Sequence, residues 1–172
     1  GSFQWGVTTS FSYFPKDNSS LFKDHISITD WLMPYSPEKD ETYVRSFLGR
    51  MLFSGDEALK DCTVLSGGEK VRVVLAKMMM EQANCMIFDE PNSHLDLESI
   101  SALNDGLIDF KGILLFNTHD HQFIDTIANR IIEITPNGVI DKMMRFEDYL
   151  ADASVKEQRD QLYKGQQHKL AL

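Results

Sequence analysis

Three groups of residues in this chain could do chemistry together. Leu65-Ser66-Gly67-Gly68-Glu69-Lys70 places a hydroxyl and two glycines where a helix begins. Downstream, Met86-Ile87-Phe88-Asp89-Glu90-Pro91 closes an apolar run on two acids, and His94-Leu95-Asp96 follows. Thr118-His119-Asp120 closes a second apolar run. Ser66 and Glu69 have the spacing of a capping box, in which each side chain satisfies the other's backbone amide. Alone, that only starts a helix. Two glycines in a first turn, however, cost roughly 1 kcal/mol each, which suggests that something must approach the backbone closely. Bare amides at the positive end of a helix suit a phosphate group.

Asp89 and Glu90 read most simply as two solvated acids after a strand. The carboxyl edge of an open α/β sheet is also where ligands bind. There Asp89 suits Mg2+, directly or through water, because the ion takes oxygen ligands and keeps several waters. Glu90 suits the orientation and deprotonation of an attacking water. A lone histidine such as His119 is more often structural, yet beside the Asp89 strand its imidazole could contact a terminal phosphate. Asp96 has a bland account as a helix cap. No Gly-x-x-x-x-Gly-Lys-Ser/Thr loop occurs in the 172 residues.

The elements that must position these groups follow from apolar periodicity. Trp5 to Phe14 reads as a strand or hairpin, ended by Pro15-Lys16-Asp17-Asn18. A short helix is expected near Ser27 or Thr29, and a longer one over Glu41 to Phe53, with Val44, Phe47, Leu48, Met51 and Leu52 on one face. Gly55 to Asp61 reads as a helical turn. Helix is then expected from Gly67 to about Gln82, strand over Cys85 to Phe88, and helix over Leu97 to Phe110 with Ile100, Leu103, Leu107 and Ile108 inward. Gly112 to Phe116 reads as strand, His121 to Ala128 as helix and Arg130 to Ile134 as a third strand, with a hairpin turn at Pro136-Asn137-Gly138 into Val139-Ile140. Such alternation implies α/β architecture with parallel strands covered on both faces. Four segments are expected: residues 1–20, an N-terminal strand; 21–64, a small helical subdomain; 65–150, the α/β core; and 151–172, a solvated charged helix fraying into a tail.

Hydrophobic content of 42% and charged content of 25% are ordinary for a globular chain. A net charge of −9 argues against gripping nucleic acid through phosphate neutralisation by this segment. No apolar run reaches the ~18 residues that span a bilayer, and no signal peptide is visible. Two cysteines make no disulfide framework, and Cys85 reads as a buried reduced thiol, so the cytoplasm is the expected compartment.

Taken together these motifs resemble the nucleotide-binding domain of ABC-type ATPases, over about Trp5 to Leu150. Leu65-Ser66-Gly67-Gly68-Glu69 matches the family signature, Met86-Ile87-Phe88-Asp89-Glu90 its Walker B strand with the following glutamate, His94-Leu95-Asp96 its D-loop and His119 its switch histidine. Asp89-Glu90-Pro91 through Ile100, the short segment between Phe14 and Leu65, and Phe146-Glu147-Asp148-Tyr149-Leu150 look like the ABC-F branch. The resemblance implies a partial P-loop NTPase fold and the second nucleotide-binding domain of a longer chain, cut just after its Walker A region. It implies ATP and Mg2+ as cofactors and hydrolysis between two domains facing head to tail. Glu90 and His119 would be catalytic, Asp89 would hold the metal, and Ser66, Gly67, Gly68, Glu69 and Asp96 would bind the nucleotide held by the other domain. The implied partners are that other domain of the same protein and the ribosome, reached through segments outside this chain. An ABC transporter subunit and a non-catalytic module lending only a signature surface are the competing readings.

Several residues depart from the family pattern. Lys16 stands where a glutamine that helps hold Mg2+ is usual, and an ammonium cannot coordinate a cation. Asn92-Ser93, Asn117-Thr118 and His121 also differ from the commoner residues. The missing Walker A loop is the most serious departure, because its lysine and amides supply most of the phosphate grip. The chain alone is therefore expected to bind ATP weakly or not at all and to turn none over. The resemblance also places the P-loop strand between the Walker B strand and the strand ending at His119. Its loss would leave unpaired or mispaired edges that invite another chain. A marginally stable chain, either homo-oligomeric through those edges or closed by a non-native pairing, is the expected result.

Overall fold

The computed structural model describes residues 2–37, 39–91, 97–108 and 110–164. The chain forms two compact units, Gly1–His119 and Asp120–Leu172.

Among the described residues the first unit holds three strands and four α-helices: β1 (Phe11–Phe14), α1 (Ile28–Leu32), α2 (Glu41–Arg50), α3 (Gly67–Met80), β2 (Cys85–Asp89), α4 (Leu97–Ile108) and β3 (Ile113–Asn117). The strands are parallel in the order β1-β2-β3. β2 lies in the middle, and its Cys85, Met86 and Phe88 are buried. The P-loop strand that the resemblance would set between the Asp89 and His119 strands is the one this chain lacks, and the two flanking strands meet each other instead. β2 and β3 pair directly over five residues, from Cys85 opposite Ile113 to Asp89 opposite Asn117. Consecutive strands joined by a single helix lie side by side by default, and α4 is that crossover. The open edges therefore belong to β1 and β3. Among the described residues β3 pairs with β2 alone, and its Ile113 and Leu115 are exposed.

Asn84 ties the starts of the strands together. Its side chain accepts from the Ser10 N–H (3.0 Å) and donates to the Thr8 carbonyl (2.8 Å), while its own N–H donates to Ser10 Oγ (3.1 Å). Its carbonyl accepts from the Ile113 N–H (2.9 Å). Gly112 is required beside it, since a Cβ there would lie 2.4 Å from the Asn84 carbonyl oxygen. The expected strand from Trp5 shrinks to Phe11–Phe14 because the Thr9 N–H turns back onto the Gly6 carbonyl (3.0 Å). Trp5 instead stacks on Phe11, with ring centroids 5.0 Å apart.

The helical segment is built on capped short helices. Ser27 caps α1 by accepting from the Asp30 N–H, and Asp40 caps α2 by accepting from the Thr42 and Tyr43 N–H groups. Thr29 Oγ1 donates to the Ala58 carbonyl (2.6 Å), joining α1 to a 3-10 turn at Gly55–Leu59. Val44, Leu48 and Met51 are buried as periodicity predicts. Leu52 is exposed instead: α2 has ended, and φ of +65° turns its side chain off the helical face. Ile108, the last residue of α4, is likewise exposed, whereas Leu103 and Leu107 are buried. On α3 the expected Val71, Val74, Leu75 and Met78 are all buried.

The second unit comprises α5 (His121–Ile127), β4 (Ile131–Thr135), β5 (Gly138–Lys142), α6 (Phe146–Ala151) and α7 (Ala153–Leu162). β4 forms an antiparallel hairpin with β5, as the Pro136-Asn137-Gly138 turn predicts. Ile140, Tyr149 and Val155 form its core. Glu133 accepts from the Tyr149 hydroxyl, Arg159 Nε (2.7 Å) and the Tyr163 hydroxyl (3.0 Å). The expected solvated terminal helix is thus tied down as far as Tyr163, because Val155, Arg159 and Tyr163 share one side of it; residues 165–172 lie outside the described residues.

Candidate functional site

The first group of site residues lies at the start of α3. Glu69 N–H donates to Ser66 Oγ (3.3 Å) and Ser66 N–H donates to Glu69 Oε2 (2.8 Å), completing the expected capping box. Lys60 Nζ pairs with Glu69 Oε1 at 2.5 Å. Both carboxylate oxygens are thus engaged by the protein. Burial pushes the Glu69 carboxyl up, and the Lys60 and Ser66 hydrogen bonds outweigh it, leaving it below the usual carboxylate range. Ser66 and Gly67 are exposed, and a Cβ on Gly67 would meet nothing within 4 Å. The first amides of a helix have no intrahelical acceptor, so this mouth offers donors with open space before them.

The second group gathers at the carboxyl ends of the three parallel strands. Asp89 ends β2 opposite Asn117 on β3. Glu90 follows with φ of +48°, a left-handed conformation that costs a non-glycine residue about 1–3 kcal/mol. Its N–H donates to the Asn117 carbonyl (2.8 Å), which extends the β2–β3 ladder by one bond and holds the turn. The Glu90 side chain meets Lys16 Nζ at 2.7 Å, with His119 Nε2 4.0 Å from its other oxygen. Lys16 comes from the turn after β1 and His119 from just beyond β3. The strand register, Phe14 opposite Phe88 and Asp89 opposite Asn117, brings the ends together. The Lys16 hydrogen bond holds the Glu90 carboxyl below its usual range, and the same bond raises the Lys16 ammonium.

The structure thus brings Asp89, Glu90 and His119 to one edge and sets Ser66, Gly67, Gly68 and Glu69 at the mouth of α3. His94 and Asp96 lie outside the described residues. Three contributors were not anticipated: the pairing of Lys16 with Glu90, the Asn117 carbonyl under Glu90, and Lys60 on Glu69. Only Lys16 carried a signal, as a cation in the turn after the first strand. Among the described residues no group of three or more His, Cys, Asp or Glu side chains could hold a metal by itself. That donor set still suits Mg2+, which commonly binds through one or two carboxylates together with phosphate oxygens and water. A strand-end carboxylate at Asp89 can supply that one ligand.

Residues 6–93 match the family model described as ABC transporter. The chain is 59% identical over 165 residues to the ABC transporter ATP-binding protein YkpA of Bacillus subtilis, covering 95% of this chain and 31% of that protein. It is 34% identical over 139 residues to ATP-binding cassette sub-family F member 3 of Pongo abelii, covering 81% of this chain and 20% of that one. The chain therefore spans about a third or less of the length of these relatives. Among solved structures, RNase-L Inhibitor superposes with a TM-score of 0.64 at 19% identity, over 95% of this chain and 38% of that one. This likeness supports the α/β fold with its parallel sheet. No helix among the described residues is long and apolar enough to cross a membrane.

Proposed function

The chain belongs to the ABC transporter family of ATP-binding domains, with relatives in its sub-family F, and from that premise we propose that it is the C-terminal nucleotide-binding part of an ABC-F protein that hydrolyses ATP between two head-to-tail domains. The observation that carries this reading is the convergence of Asp89, Glu90 and His119 on one sheet edge, with Glu90 held in a costly backbone conformation. Such strain persists where the surrounding structure over-determines it, often at functional sites.

In this reading Glu90 orients and deprotonates the attacking water. His119, with its side chain 91% exposed, contacts the terminal phosphate from the far side of Glu90. The amides of Gly67 and Gly68, with the Ser66 hydroxyl, serve the γ-phosphate of nucleotide held by the partner domain's P-loop, while Glu69 keeps that mouth in shape by holding the Ser66 N–H and Lys60. Asp96 belongs to the same interface. Mg2+ held by Asp89 would neutralise charge on the phosphates. Kinship with sub-family F favours a cytoplasmic protein acting on the ribosome through segments outside this chain over a transporter subunit.

The test is ATP turnover by the intact protein. Glu90→Gln should lower kcat by at least about 100-fold while leaving nucleotide bound, and the 172-residue chain alone should turn nothing over. Unchanged kcat in Glu90→Gln would remove Glu90 from the chemistry and favour the module that lends only a surface. Failure to co-sediment with ribosomes in nucleotide would remove the ribosomal part of the reading.

A further inference from the structure

The Lys16–Glu90 pair places an internal cation beside the residue assigned to activate water. Phe14 lies opposite Phe88 where the β1–β2 pairing ends, so the turns that follow, one carrying Lys16 and the other Glu90, leave the sheet side by side. Nζ and Oε2 are 2.7 Å apart. The two partners differ in freedom. Glu90 is fixed at the backbone by its hydrogen bond to Asn117 and its left-handed φ, and its side chain is 23% exposed. Lys16 has a flexible four-carbon stem and a side chain 59% exposed. If one partner of this pair moves, it is the ammonium.

Resting on the ATP reading above, we infer that Lys16 is a positioning residue whose ammonium exchanges partners. It pairs with Glu90 as the structure shows and passes to the terminal phosphate when nucleotide binds, releasing the Glu90 carboxylate from that ion pair so that it can hold water. A terminal phosphate carries more negative charge than a carboxylate and draws the same ammonium more strongly. A neutral side-chain amide at this position would have no charge to hand over. Lysine therefore couples nucleotide arrival to the freeing of Glu90, and it makes carboxylate and phosphate competitors for one cation.

Competition predicts a non-additive double-mutant cycle, because residues that share a partner do not contribute independently. The measurement is equilibrium binding of a fluorescent, non-hydrolysable ATP analogue, with Mg2+, to the intact protein and its variants. Glu90→Gln should tighten binding at least about fivefold, because it frees the ammonium; with Lys16→Met already present, it should change Kd less than about twofold. Lys16→Met alone should weaken binding, and Lys16→Arg should restore most of the loss. If Lys16→Met fails to fold, Lys16→Gln takes its place in the same cycle. Equal shifts from Glu90→Gln in both backgrounds would overturn the exchange while leaving the ATP reading intact. If the unmodified protein binds no analogue at all, the ATP reading itself fails and takes this inference with it.

Discussion

Two glycines, one at the mouth of α3 and one at the root of β3, should respond to alanine with opposite signs, and the contrast tests why Gly67 is there. At Gly67 a new Cβ meets nothing within 4 Å and the backbone is helical. Alanine there should be neutral or stabilise by up to about 1 kcal/mol, which for a chain of this size is roughly 2–4 °C in Tm. At Gly112 the Cβ would sit 2.4 Å from the Asn84 carbonyl oxygen and 2.5 Å from Phe110 Cζ. The phenyl ring can swing, but the carbonyl is fixed by the Ile113 N–H it accepts at the root of β3. Forced overpacking of this kind costs typically about 1–3 kcal/mol, so Tm should fall by several degrees. Thermal melts of the chain followed by circular dichroism read both effects. ATP turnover by the intact protein carrying Gly67→Ala supplies the other half, with an expected loss of at least about tenfold, because a methyl group would stand where phosphate oxygens approach the amides. A Gly67→Ala chain destabilised as much as Gly112→Ala would show that this glycine serves the fold. Full turnover in the intact protein would show that no ligand approaches there.

Other outcomes follow from the described contacts. Ser66→Ala removes the cap of α3 and should cost about 1 kcal/mol in denaturant unfolding, with no loss in the melt counting against the capping box. In the second unit, burial pushes the Glu133 carboxyl up, but its hydrogen bonds from Arg159, Tyr149 and Tyr163 leave it below the usual range. Its contribution to stability is therefore present above the ordinary carboxylate pKa and is lost as pH falls through the lower folded value. Tyr149→Phe removes one donor, should cost about 1 kcal/mol, and should start the acid-induced loss of hydrogen-exchange protection at higher pH; an unchanged acid profile would contradict it. If the chain self-associates through the open edge of β3, Leu115→Lys should shift sedimentation towards monomer. An unshifted profile would place any association elsewhere.

Much of the site was legible because it depends on local rules. Ser66 and Glu69 form a capping box at fixed spacing, and the apolar positions of α3 and β2 repeat with the period of their elements. What was not legible depends on how separate elements register. Nothing local to Lys16 says that it will meet Glu90, since that depends on β1 ending beside β2. Adjacency of β2 and β3 is likewise a tertiary fact, whereas the β4–β5 hairpin was legible in its Pro136-Asn137-Gly138 turn. Leu52 and Ile108 failed differently. Leu52 lies past the end of α2, where side-chain direction no longer follows the helical period, and Ile108 closes α4 at its exposed tip.

Asn84 gives the sheet a common datum line. Because the strands are aligned at that one residue, the level reached by each at its far end is set by how many residues it counts out from there. An extra residue inserted between Asn84 and Asp89 would push the acidic tip of β2 forward by about 3.3 Å and reverse which face each side chain takes. Glu90 would overshoot both Lys16 and His119, although none of the three had changed. The alignment of the charged tips is thus measured from the opposite end of the sheet, and strand length between the two becomes as much a part of the apparatus as the side chains themselves.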